Sequence, residues 1–215
     1  MKPKKFLYLA TFCILLISGY LHAEEPTKMH SVSLHMGYAN MLGGTAGLTN
    51  SAHSYERDLC SGISWDAQYY LHPFKWIGFG FLYSGYSSKG SLEYSSDHVY
   101  THYIAPQFAF YCLSSERMNV RLNLGTGYLR YKNNSMVYEK ERRVSGGRIA
   151  GNIGVNTEYM LTPRWGISAD VQYVFTNLRK VDSRYHGETI QVKFPSEDRL
   201  KVSRLNISLG LGYHF

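Results

Sequence analysis

Nine histidines in a chain of 215 residues invite a metal or proton-transfer reading before anything else. Their spacing does not support one. His98 and His102 stand four positions apart, which on a strand places them on one face but about 13 Å from each other, beyond shared coordination. The sequence has no His-x-x-Glu-His run and no His-x-His beside a carboxylate. Nucleophilic chemistry fares no better. There is no Gly-x-Ser-x-Gly, and His30-Ser31 and His53-Ser54 are adjacent pairs whose side chains leave a strand on opposite faces. Catalytic residues, a metal and a cofactor are therefore not expected.

The remaining polar residues fall into two sets. Asp66, Gln68, Arg121, Arg148, Glu158, Asp170 and Arg204, with Asn123, Asn156 and Gln172, sit singly inside otherwise apolar stretches. They would line a pore or lock together as a buried network. Lys140, Arg142 and Arg143, and Arg179, Lys180 and Arg184, form two basic clusters diluted by Glu139, Glu141 and Asp182. Those clusters suit anionic lipid phosphates or a solvated loop of mixed charge.

Elements must position these groups, and composition narrows which. Charged residues make up 18 %, below the usual quarter, and aromatics 15 %, with 19 tyrosines. So many aromatic and β-branched residues exclude intrinsic disorder. The net charge is +7, and removing the three lysines of the first 23 residues leaves +4, too little to suggest a nucleic-acid partner. Residues 1–23 read as a secretory signal peptide: a lysine-rich start, an apolar stretch of about 15 residues, then Leu-His-Ala with cleavage between Ala23 and Glu24. Beyond it no apolar run reaches the 18 or so residues of a membrane helix.

From Ser31 on, apolar residues recur with period 2, the strand signal. Leu205, Ile207, Leu209, Leu211, Tyr213 and Phe215 share one face; Arg204, Asn206, Ser208, Gly210, Gly212 and His214 share the other. The same dyad marks Ser31–Leu42, Ser61–Leu71, Trp76–Tyr86, Asn119–Tyr131, Arg148–Met160 and Gly166–Thr176. His98–Tyr111 is noisier, and Pro106 within it predicts a bulge or local widening. Eight segments of this length suit tilted membrane-crossing strands better than ordinary ones. Connections alternate between tight (72–75, 112–118, 161–164) and long and polar (43–59, 87–97, 132–147, 177–200), the habit of outer-membrane barrels. An all-β, eight-stranded antiparallel up-and-down transmembrane barrel over residues 31–215 follows, after a short segment at 24–30. Cys60 and Cys112 then fall at opposite ends of different strands, beyond disulfide reach.

The stretch Ser208-Leu-Gly210-Leu-Gly-Tyr213-His-Phe215 resembles the terminal assembly signal of outer-membrane proteins: polar, x, Gly, x, x, aromatic, x, aromatic. With the leader and the eight dyads, the chain resembles the small eight-stranded OmpA/OmpX-like outer-membrane barrels. The resemblance implies the outer membrane of a Gram-negative envelope and recognition of Ser208, Gly210, Tyr213 and Phe215 by the barrel assembly machinery. Membrane lipids and lipopolysaccharide are the implied surroundings. It implies no one function, since members are structural, adhesive, porin-like or enzymatic. Eight strands leave a lumen just wide enough for side chains. The expectation is accordingly a structural or interaction protein with a plugged lumen, acting through its outer loops on an unidentified extracellular ligand. A porin-like channel or a lipid A-modifying enzyme is the alternative. Within the plug, Arg121 is expected to pair with Glu158, and Arg204 and Arg148 to reach Asp66 and Asp170. Tyr70, Tyr86 and Tyr131 are expected to fill the space left by inward glycines.

Overall fold

The structure, a computed structural model, describes residues 29–42, 58–92, 95–137, 140–185, 188–195 and 200–215. The signal-peptide reading, with Ala23 and Glu24, lies outside them. Twelve strands follow in order. They are β1 (His30–Met41), β2 (Ser61–Phe74), β3 (Ile77–Leu92), β4 (Ser95–Ser114), β5 (Met118–Val137), β6 (Lys140–Met160) and β7 (Trp165–Phe175). Then come β8 (Asn177–Leu178), β9 (Lys180–Tyr185), β10 (Glu188–Lys193), β11 (Leu200–Lys201) and β12 (Arg204–His214).

Strands β1 to β7 each pair antiparallel with the next, β7 pairs with β12, and β12 closes on β1 from Ser31↔His214 to Met41↔Arg204. That is a ring of eight with no free edge, the condition for a sheet to stand in lipid. Reciprocal bonds between His30 and Phe215, 3.0 Å and 2.9 Å, fasten the last rung of the seam. The Phe215 ring stacks on His30, centroids 5.3 Å apart. Outward positions carry the apolar dyad: Leu34, Met36, Ile63, Phe81, Ile104, Ile149, Leu209 and Leu211 are all more than half exposed. Aromatics edge this band, with Trp76, Trp165 and Tyr213 at the short-turn end and Tyr38, Tyr83 and Tyr128 at the other.

Two differences from the sequence reading concern the long connections. Residues 87–92, 95–97, 132–137 and 140–147 are not loops; they are continuations of β3–β4 and β5–β6, which pair without a register shift up to Leu92↔Ser95 and Val137↔Lys140. The physical reason is that the apolar face changes sides. Up to Tyr128 the apolar residues of β5 point outward; beyond it Leu129 and Tyr131 point inward and are buried, while Arg130 and Lys132 point out. Above the membrane both media are polar and the apolar face turns to the interior. Within 177–200 the strands β9 and β10 pair with each other, and β9 docks on β6 from Arg142↔Tyr185 to Ser145↔Asp182. Of residues 43–59, only Asp58 and Leu59 are among the described ones, in a short helical turn with Cys60.

The fourth strand is more regular than its sequence. β4 alternates buried and exposed residues through Pro106, and the expected bulge is absent there. Pairing with β5 omits two positions, Ala105 and Pro106, between Ile104↔Tyr128 and Gln107↔Gly125, then resumes in the same register. Proline has no N–H to donate, so the ladder loses bonding there without slipping, and Gly127 still packs closely on Ile104 and Ala105 across it. A register shift falls instead between Tyr111 and Leu113, at Cys112. Cys60 precedes β2 at the outer end and Cys112 is near the opposite rim, so the two are not joined.

Candidate functional site

The interior is built in layers, each set by which strands bring inward residues to the same depth. Near the short-turn rim, Glu158 on β6 accepts from His214 on β12, 3.0 Å away. The intervening strand positions are Gly166 and Gly212, and a Cβ at either would press on the Glu158 side chain. Glu158 crosses β7 and β12 through that slot. Ser31 bonds His72 at 2.8 Å on the facing wall. Arg121 donates to Gln68 Oε1 at 2.9 Å and lies over the Tyr70 ring, 4.5 Å from its centroid.

The next layer centres on His35. Its Nδ1–H donates to Asp66 Oδ1 at 2.7 Å, and its Nε2 accepts from the Ser168 hydroxyl at 2.8 Å and from Asn156 Nδ2 at 3.3 Å. Asn156 Nδ2 can only donate, which places the ring hydrogen of His35 on Nδ1, toward Asp66. Asp66 also accepts from Gln68 at 2.9 Å, and Asp170 accepts from Asn156 at 3.2 Å and Gln68 at 3.5 Å. Higher still, the fully buried Arg204 donates to Ser84 O at 3.1 Å, to Ser84 Oγ at 2.8 Å and to the Thr101 hydroxyl. Tyr103 and Gln107 both donate to Asn152 Oδ1 at 2.8 Å.

Above Arg204 the interior turns apolar. Tyr86, Val99, Tyr103, Leu129, Tyr131, Val144 and Val174 from the strands pack with Leu59, Leu178, Val181, Leu200 and Val202 from the outer connections. None is more than 5 % exposed, and they form a hydrophobic core in the outer half of the lumen, which also encloses Ser88, Thr101 and the Asp97 carboxylate bonded by Asn133 and Ser135. From the sequence only Tyr86 and Tyr131 of this layer are expected inside, because the segments stop at Tyr86, His98, Tyr131 and Arg148; the signal for the rest is the period-2 apolar set that continues beyond them on the inward parity, Val99, Leu129 and Val144.

Six of the seven expected interior residues (Asp66, Gln68, Arg121, Glu158, Asp170 and Arg204) are at most 5 % exposed. Arg148 is not among them; it stands at the outer rim and donates to Asn177 O at 2.7 Å. The expected pairs are corrected. In register Glu158 faces Asn119 and Arg121 faces Asn156, so Glu158 takes His214 and Arg121 takes Gln68. Asp66 is bonded by His35 and Gln68 and Asp170 Oδ1 by Gln68 and Asn156, none of them an arginine, while Asp170 Oδ2 is buried without a hydrogen-bond partner. Tyr70, Tyr86 and Tyr131 are buried as expected. His35, Ser168 and His214 were visible only as inward-parity residues without an assigned partner. Among the described residues no group of His, Cys, Asp or Glu could hold a metal ion.

Residues 12–215 match the family described as outer membrane protein beta-barrel domain. The chain belongs to that family. It is thus an outer-membrane protein, its short turns periplasmic and its extended strands outside the cell. A major outer membrane protein of Thermus thermophilus superposes with a TM-score of 0.62 at 15 % identity, over 88 % of this chain and 100 % of that one. Neisserial surface protein A gives 0.54 at 12 %, over 86 % and 97 %. The attachment invasion locus protein of Yersinia pestis gives 0.52 at 14 %, over 88 % and 100 %. At these identities the likeness concerns the fold. No curated protein matches the sequence.

Proposed function

We propose that this barrel is a sealed anchor with a structural or interaction role, presenting the extracellular parts of β3 to β6 and the β9–β10 hairpin to a ligand outside the cell. The observation that carries this reading is the hydrophobic core in the outer half of the lumen, with the buried polar groups beside it, Asp97 among them, hydrogen-bonded within the barrel. A pore needs a continuous wet path, and an apolar plug resting on a hydrogen-bonded polar layer leaves none. The barrel of the Yersinia attachment invasion locus protein bears a name that records attachment, in keeping with such a role. Ser208, Gly210, Tyr213 and Phe215 on β12 fit recognition by the assembly machinery. Protein reconstituted in a planar bilayer should give negligible steady conductance; a large, stable open channel would favour the porin reading instead.

One arrangement favours a second reading. Asp66, His35 and Ser168 have the connectivity of a carboxylate–base–nucleophile triad. Burial opposes it: Ser168 is 5 % exposed, and His35 Nε2 is shared with Asn156. The relay serves instead to satisfy polar groups enclosed by the barrel. A fluorophosphonate probe should leave Ser168 of the folded protein unlabelled, and labelling that is lost in Ser168→Ala would establish a hydrolase.

A further inference from the structure

Among the described residues, three histidines on the outer wall hold a tyrosine hydroxyl on one ring nitrogen. They are His30 with Tyr69 at 2.8 Å, His102 with Tyr83 at 2.9 Å and His98 with Tyr100 at 2.9 Å. His98 differs from the other two at its second nitrogen, where Nε2 lies 3.1 Å from the Ser87 hydroxyl. An imidazole with a serine on one nitrogen and an orienting group on the other is the arrangement that turns an alcohol into a nucleophile. The His35–Ser168 pair has that connectivity too, but it is enclosed in the lumen. Ser87, His98 and Tyr100 all point outward and are only half-buried, so a substrate can approach them.

The surroundings suit acyl chemistry. Ser87 faces Ile63 in the last rung that β3 shares with β2, and beyond it β3 pairs with β4 alone among the described residues. A strand edge carries unpaired N–H groups, so Ser87 stands where a row of free amides begins. In register the exposed Lys89 is beside His98. Its ammonium and those amides suit the charge that forms on a carbonyl oxygen under attack at Ser87. The flanking strands β3 and β5 face His98 with Lys89, Lys132 and Asn134, and with no carboxylate among the described residues. Partial burial and the Lys89 ammonium hold the imidazole below its usual range, which keeps it a neutral base near pH 7. Height selects what arrives. Ser87 is the outward residue next above Gly85, whose outer face is covered by the Trp65 indole. Tryptophan in such a belt marks the membrane–water boundary, so the site opens into the headgroup layer.

We infer that Ser87 and His98 form a hydrolytic site for carboxylic esters of amphiphiles seated in that layer, with Tyr100 as a positioning residue. With its ring hydrogen on Nδ1 and given to the Tyr100 oxygen, His98 takes the Ser87 proton on Nε2 as Oγ adds to the ester carbonyl carbon. The carbon–oxygen bond to the alcohol then breaks, and that proton leaves with the alcohol. Water adds to the acyl-serine, its proton passing through Nε2 to Ser87 Oγ as the carboxylic acid departs. Ester and water become acid and alcohol, with no other reactant. This activity goes beyond the sealed anchor and does not rest on it.

Full-length protein in lipid vesicles, treated with a fluorophosphonate and then digested, should carry the label on Ser87. His98→Ala should slow that labelling about a hundredfold or more. Vesicles doped with p-nitrophenyl octanoate should release p-nitrophenol above the rate of protein-free vesicles. Ser87→Ala should remove the excess, and His102→Ala, on the same wall, should leave it unchanged. Tyr100→Phe keeps the ring but loses the acceptor, and should lower kcat with little change in KM. Lys89→Gln removes the cation beside His98, so the acid limb of the pH profile should move to higher pH. Folding of each variant is read from the gel mobility of unheated samples. Unlabelled Ser87 in the folded unmodified protein, or octanoate hydrolysis undiminished in Ser87→Ala, overturns the assignment. Water-soluble p-nitrophenyl acetate hydrolysed with the same kcat/KM as the octanoate removes the headgroup layer from it, and an unaltered kcat in Tyr100→Phe removes Tyr100.

Discussion

Asp66→Ala should lower the stability of the barrel by about 2–6 kcal/mol, about 1–3 for each of two buried donors left without an acceptor. The carboxylate is 5 % exposed and accepts from His35 Nδ1–H and Gln68 Nε2, at 2.7 Å and 2.9 Å. Truncation leaves both donors in an enclosed interior with nothing to bond. Leaving a buried donor unmade costs about 1–3 kcal/mol, and a bond to a charged group contributes more than a neutral one. The effect should not stop at Asp66, because His35 is held from both sides: without its carboxylate the imidazole is no longer fixed with Nε2 toward Ser168 and Asn156. Asp66→Asn keeps an acceptor oxygen at nearly the same place and should cost much less. His35→Leu/Asp66→Leu removes donor and acceptor together and should recover part of the loss, since replacing both partners by apolar groups spares the unpaired group. Urea unfolding in lipid vesicles, followed by tryptophan fluorescence, measures each variant, and His35→Leu and Asp66→Leu alone complete the double-mutant cycle. Additive losses would mean that the His35–Asp66 bond does not couple the two sites.

Much of this fold is legible in the sequence because lipid imposes one rule on every crossing strand. The outward dyads of β1, β2, β7 and β12 are readable residue by residue, and their bounds fall within three residues of the expected ones. Above the girdle that rule reverses. In β5 the apolar parity passes from Leu124 and Tyr128 to Leu129 and Tyr131, so a reader following one face sees the pattern stop where the strand continues. β4 looked noisy for the same reason: Tyr103 is inward and core-forming, while Tyr100 and His102 are outward and wet. The interior set was also legible as a set, since parity alone selects it. Its pairing was not. Neighbour-to-neighbour reasoning joins Arg121 to Glu158, but inward glycines let long side chains pass over one or two strands. Glu158 reaches His214 above Gly166 and Gly212, and the Gln107–Asn152 pair lies over Gly125. Pairing across a saddle is a property of the closed ring, and neither partner's sequence neighbourhood carries it.

Gly210→Ala should be among the most damaging single-methyl changes in the protein, for a reason distinct from any role as an assembly signal. Gly210 on β12 lies between His35 of β1 and Ser168 of β7 in register. The His35 imidazole crosses directly over it to bond Ser168 at 2.8 Å. A Cβ at 210 would collide with His35 Cδ2 and with the Leu34 carbonyl oxygen. The ring can be moved only by giving up the Asp66 or the Ser168 bond, and the carbonyl belongs to the β1–β12 seam that closes the barrel. Overpacking in a well-filled interior costs about 1–3 kcal/mol, and a clash with backbone as well as ring places this site at the upper end. Gly210→Val should go further and keep most of the protein at the unfolded gel mobility. Two comparisons separate packing from signalling. If the glycine is needed only for recognition in the cell, purified Gly210→Ala refolded into vesicles will match the unmodified protein in urea midpoint. If the saddle is the cause, refolding in vitro falls as well, and His35→Ala/Gly210→Ala regains the share due to the ring but not the share due to Leu34. The geometry predicts the second pattern, in which the residue that resembles part of an address is held first by the side chain that crosses it.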